Sequence, residues 1–338
     1  MQTAVRLIGK EIPVVAAAGK FGGFKPEPER GTRESHILSN PKIEAMIAVW
    51  QRFEYSIFSD TLYENLLHAS RTIGHSAKDI EAFSLALAGY QDEKHFTKKA
   101  GVYLSALVSG SQEDDFVIHT THLTEPISLI GYKNTKKITI KGDVGFDLGR
   151  EMVSGTILVT GNAEGNAGVS MTGGEISILG DATYRIGCLM EGGRVTVAGN
   201  AGDEAGRFMK GGVIDIGKGA GDFIGFGMEN GTISINGDCQ DALGHKMAGG
   251  RIIVKGNAGD AVGQDMENGT ILVDGDVGDW VGNSVKGGMI KVHGKAGDYV
   301  GCEFFGGEIH LDGGYAGLLG VGIRGGKIYH RGELVVEK

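Results

Sequence analysis

The sequence predicts a mainly β protein: a right-handed parallel β-helix built from nineteen-residue rungs, preceded by a helical domain. Three observations carry this prediction. From Ile138 an apolar, β-branched residue returns every nineteen positions, through Ile157, Ile176 and Val195 to Ile328. A glycine recurs at the same interval from Gly149 to Gly320, taking in Gly206, Gly225, Gly244 and Gly263. No insertion or deletion disturbs the register. Self-similarity at a fixed period marks a solenoid before any other reading is weighed.

Residues 1–40 read as an irregular arm, because FGGFKPEPERGTRES concentrates glycine, proline and charge. Residues 41–115 read as a helical domain. Its first stretch, Pro41 to Gly74, has helical periodicity with a break near Ser59 and Asp60. SAKDIEAFSLALAG then offers Ser76 as N-cap, Asp79 in the first turn and Gly89 at the exit. A further helix ends at Gly110, and Ile80, Phe83 and Leu87 have the spacing of a packed bundle. A stack of strands leaves an open core and an unpaired edge at each end. The helical domain is therefore expected to lie over the first rung. At the far end HRGELVVEK supplies only a brief strand, so a partner subunit is expected to cover it.

Residues 116–338 read as the solenoid. Ile138, Ile140 and their successors face inward, with a mixed column such as Thr139, Ser177 and Asp215 pointing out between them. Val144, Ala163, Ala182 and Cys239 form a small buried column. Met152, Met171, Met190, Met209, Met228, Met247 and Met266 form a core-filling one, continued by Val285, Phe304 and Ile323. A glycine inside a helix costs about 1 kcal/mol relative to alanine, so units this rich in glycine do not form helical hairpins. Rungs about 4.8 Å apart make a rod roughly 50 Å long. The glycines are architectural: GKGAGDFIGFG resembles a phosphate loop but opens no helix and lacks the Gly-Lys-Ser/Thr ending.

The formal charge of −9 is spread without long runs of one sign, which argues against a nucleic-acid footprint. No apolar run reaches the ~18 residues of a membrane span, and no leader pattern opens the sequence, so a cytoplasmic placement is expected. Three cysteines are too scattered for a disulfide framework: Cys188 and Cys302 lie six rungs apart, roughly 29 Å, and Cys239 reads as a core thiol. His119 and His122 read as a satisfied surface pair. Asp203, Asp222, Asp241, Asp260, Asp279 and Asp298 share one azimuth. Each is expected to accept backbone N–H bonds within its own corner, the alternative being a row of Ca²⁺ ions. No catalytic, metal-binding or cofactor-binding residue is assigned.

A variable, outward column runs Asp147, Asn166, Arg185, Glu204, Phe223, Ala242, Ala261, Trp280, Tyr299 and Leu318. Trp280, Tyr299 and Leu318 fall on successive rungs, and Val169, Cys188, Leu189, Phe208 and Phe226 form a second apolar group on an adjoining side. Aromatics gathered on a rigid face mark a protein-binding surface, so Trp280, Tyr299, Leu318, Phe208 and Phe226 are the interface candidates. Packing against the N-terminal arm is the alternative.

Units such as GGRIIVKGNAGDAVGQDM (Gly249 to Met266) and GGMIKVHGKAGDYVG (Gly287 to Gly301) resemble the GXGXG β-helix. That repeat is shared by the C-terminal domain of the glutamate synthase large subunit and by the β-helical subunit of formylmethanofuran dehydrogenase, and the resemblance covers about residues 136–330. It implies a non-catalytic scaffold within an oxidoreductase complex, with protein subunits or further copies of the chain as partners and neither nucleic acid nor membrane. It implies no cofactor in this chain, with flavin, iron–sulfur or molybdopterin or tungstopterin groups in partner subunits. The glutaminase nucleophile and the flavin and iron–sulfur region of a complete synthase have no counterpart here. The first 125 residues match no part of the dehydrogenase's β-helical subunit. A stand-alone enzyme or ligand-binding module on the β-helix flank is the competing reading.

Overall fold

The computed structural model of the protein describes residues 4–7, 10–13 and 40–338. Most of the expected arm lies outside these residues. The part described is not irregular, because β1 (Ala4–Leu7) pairs antiparallel with β2 (Lys10–Pro13).

Four helices follow, α1 (Pro41–Arg52), α2 (Asp60–Ile73), α3 (Ala77–Ala86) and α4 (Phe96–Gly110). The break between α1 and α2 is set by Ser59, whose hydroxyl accepts the Leu62 N–H at 3.2 Å. Ser76 and Asp79 form a reciprocal capping box at the start of α3. Gly89 does not end α3. The helix tightens into a 3₁₀ turn over Leu87–Tyr90, with Gly89 inside it. Trp50 centres the bundle core, edge-on to Phe53 and Phe83, and its indole N–H donates to Glu93 at 3.0 Å.

The bundle packs on the first turn of the solenoid. Gly101 of α4 passes so close to the Ser128 carbonyl that any Cβ there would overlap it. The Ser105 hydroxyl sits 2.7 Å from Gly101 O and 2.9 Å from Leu129 O, and accepts the Gly131 N–H at 2.9 Å. Tyr132 donates its phenol hydrogen to Asp60, which Lys133 also reaches at 2.9 Å.

That first turn was hidden from the period. The strand β3 (Asp115–His119) pairs parallel with β4 (Lys137–Lys141), Phe116 opposite Ile138, an offset of 22. From β4 to β14 (Lys327–His330) one parallel strand per rung follows at an offset of 19, as in Ile252 opposite Ile271. The last strand, β15 (Glu333–Glu337), folds back antiparallel on β14 and completes a 13-stranded sheet. The far end is thus covered in part by the chain itself, since Val336 packs against the open core while Leu334 and Val335 face outward.

The Ile/Val columns and the Met column are buried along the rod, and Cys239 sits among them with its thiol pushed up to about 12 by burial. The corner glycine column is left-handed: Gly244 has φ +67°, and a Cβ there would run into Ile271 Cδ1, which fills the space from the rung above. Glycine is not alone in that conformation. Asp147, Asn166, Arg185, Glu204, Phe223, Ala242, Ala261, Trp280 and Tyr299 are all left-handed, φ between 56° and 64°. A second such column runs from Glu151 through Phe208 to Glu303. The corners impose this conformation on 17 non-glycine residues of the two columns regardless of type, at about 1–3 kcal/mol each.

Replacing Gly244 with Val combines that backbone strain with overpacking, about 1–3 kcal/mol from each source. The variant should lose several degrees in thermal midpoint by circular dichroism or fail to fold, and an unchanged midpoint would contradict the corner geometry.

Candidate functional site

The Asp column does not serve its own corners. Asp203 Oδ1 accepts the N–H of Asp222, one rung on, at 2.9 Å. Asp222, Asp241, Asp260 and Asp279 repeat the contact to Asp241, Asp260, Asp279 and Asp298 at 2.7 to 2.9 Å. The bond therefore runs along the rod, and the expectation of within-corner bonds is corrected. At a corner the backbone turns away from strand pairing and its N–H groups need acceptors, and a side chain from the rung below provides one. Charge-assisted N–H donors also offset part of the repulsion between stacked carboxylates.

A second ladder escaped the sequence reading. Asp143, Asn162, Asp181 and Asn200 accept the N–H of the residue nineteen ahead at 2.6 to 3.1 Å. Gly219 interrupts this ladder, and Asp238, Asn257 and Asp276 resume it. Alternating Asp with Asn halves the charge density while keeping an acceptor on each rung. The nineteen-residue recurrence of Asp or Asn was the available signal.

The interface candidates fall into two groups on one flank. Trp280 and Tyr299 stack face to face, centroids 4.5 Å apart and planes 10° from parallel. Both are exposed, at 41% and 36%, and Leu318 on the next rung is 55% exposed. Phe208 and Phe226 meet edge-on at 5.4 Å, with the Arg207 guanidinium 4.9 Å from each ring. Phe223 and His245, neither singled out from sequence as part of this group, join it: His245 stacks on Phe226 at 5.3 Å and Phe223 lies 6.3 Å from Phe226. Burial holds the His245 imidazole below its usual range. Between the two groups lie Ala242 and Ala261. Ala242 is 6% exposed yet takes no part in the apolar core, so it is covered on the flank rather than open to solvent as expected.

The remaining candidates are structural or ordinary. Gly206, Gly225, Gly244 and Gly263 are left-handed corner residues. His119 pairs with Glu81 at 2.9 Å. His122 departs from the satisfied-pair reading, since both its ring nitrogens are buried without a hydrogen-bond partner among the described residues. Among the described residues no group of three or more His, Cys, Asp or Glu side chains is arranged to hold a metal ion, and no helix is long and apolar enough to cross a membrane.

Compared with known protein families and with curated proteins, the chain matches none.

The ladders separate acceptor from charge. Asp241→Asn keeps the acceptor for Asp260 and removes one repelling charge, so the urea midpoint should hold or rise at low salt. Asp241→Ala removes the acceptor and should cost about 1 kcal/mol. Equal loss in both variants would mean that the carboxylate charge, not the bond, is what the corner needs.

Proposed function

We propose that this chain is a non-catalytic scaffold within a multisubunit complex, with the aromatic flank of its β-helix in contact with another chain. The observation that carries the reading is the conformation of Trp280 and Tyr299. Both hold φ near +60° while standing exposed. The same corner is occupied by Asp147 and Asn166 on other rungs, residue types that enter the left-handed region readily. A bulky aromatic there costs backbone energy and leaves apolar surface in water. A partner that covers the rings offsets both costs.

The GXGXG resemblance supports a glutamate-synthase-like assembly, in which flavin and iron–sulfur groups belong to other subunits. The same repeat equally supports a part like the β-helical subunit of a formylmethanofuran dehydrogenase, with molybdopterin or tungstopterin in the neighbouring chains.

Mass spectrometry of chains that co-purify from the native host distinguishes the two assemblies by the cofactor class of the captured subunits. Trp280→Asn is the decisive variant. It should fold with equal or greater stability, because Asn tolerates positive φ, yet it should lose the co-purifying chains. Retention of those chains by the variant, or a wild-type protein that purifies alone as a monomer, would defeat the proposal.

A further inference from the structure

The last coil of the solenoid leaves part of the core uncovered. Leu319 and Ile323 continue two columns whose previous members, Val300 and Phe304, are wholly buried, yet both are only partly buried themselves. Around them Val321, Leu334 and Val335 stand exposed. The main chain is open there as well. On preceding rungs the corner N–H groups reach a carbonyl of the next coil, as Trp280 does at Asp298 O and Glu303 at Val321 O. Leu318 and Gly322, which hold those places on the last coil, donate to no acceptor among the described residues. β15 covers one side with Val336, and its outer edge pairs with no strand among the described residues.

An occupant of this face must offer a coil-shaped apolar section together with main-chain partners. The first coil of another copy cannot supply it, because α4 is seated there through Gly101 and Ser105. Head-to-tail stacking is therefore blocked, and the matching end is the last coil of a second copy. The charge pattern permits that meeting. The Asp row stops at Asp298, since Gly317 takes the next place, and the neighbouring ladder runs from Asp276 to Lys295 and Gly314. Two last coils thus meet without bringing acid rows face to face. Antiparallel pairing of β15 with its copy sets Arg331 and Glu333 at the start of one strand opposite Glu337 and Lys338 at the end of the other, so each end of the joint holds both signs.

We propose that two copies of this chain join tail to tail, last coil against last coil about a two-fold axis. β15 pairs antiparallel with its copy, and Leu319, Val321, Ile323 and Leu334 close a shared core. The joint closes at two copies, because a helical bundle occupies each outer end. It does not use the stacked Trp280–Tyr299 pair, so it stands apart from the scaffold reading of the flank.

Sedimentation equilibrium of the full chain should give a dimer at micromolar concentration. Small-angle scattering should give that dimer about twice the length of one chain, as an end-to-end joint requires. Leu334→Asp and Val321→Asp place a charge at exposed positions on two different elements. Each should fold as the wild type does by circular dichroism and raise the dimer dissociation constant at least about tenfold. Trp280→Asn should leave the constant unchanged. A wild-type chain that stays monomeric up to its solubility limit would overturn the proposal and leave the end face to a different protein. A dimer as tight in both aspartate variants, or one no longer than a single rod, would also overturn it. Dissociation by Trp280→Asn alone would place the joint on the flank instead and defeat the tail-to-tail arrangement.

Discussion

Each residue of this solenoid has as its nearest neighbours along the rod the residues nineteen before and nineteen after it. That one constraint organises the molecule. An apolar column only gains from it, because Ile over Ile excludes water along the whole core, at about 1.5–3 kcal/mol for each side chain fully buried. A charged column meets its own charge at about 4.8 Å and must be relieved. The relief is visible in two forms. One ladder alternates Asp181 with Asn162 and Asn200, and the other lets each carboxylate bind the N–H of the next rung.

The same constraint explains the corners. The chain must turn within a few residues and leave its side chains clear of the rung above. Gly244 is glycine because Ile271 occupies the place of its Cβ, but Trp280 and Phe223 take up the same left-handed backbone with their side chains directed to solvent. Glycine at a corner therefore reports an inward direction with no room, rather than the sign of φ. An outward corner position tolerates any residue whose energetic cost is offset elsewhere. This is why the functional reading falls on that column: it is where the fold leaves residue type free, and where large aromatics nevertheless collect.

The ends of the stack are handled by departures from the repeat. The bundle seats Ser105 and Gly101 against a turn whose strand is offset by 22 residues, and Tyr132 ties that turn to α2 through Asp60. At the other end β15 reverses direction and places Val336 beneath the last rung. Antiparallel pairing at the terminus stops the parallel stack from presenting its edge to further strands of the same kind.

The sequence by itself determined the solenoid, its rung length, its buried columns, the helix break near Ser59 and the helix cap at Ser76, because these follow from periodicity and from local backbone chemistry. It also exposed the Trp280–Tyr299–Leu318 column, since a strict period assigns each residue an azimuth. The tertiary structure alone decided what crosses rungs or breaks the period. The turn at β3 lay outside the period because it spans 22 residues rather than 19, and the antiparallel direction of β15 was undetermined because a brief strand with no periodic partner does not show which way it runs. The bonds of the Asp rows run to the next rung because the acceptor-poor N–H is there and not in the residue's own turn. Phe223 and His245 join Phe208 and Phe226 because the corner folds two sequence columns against each other.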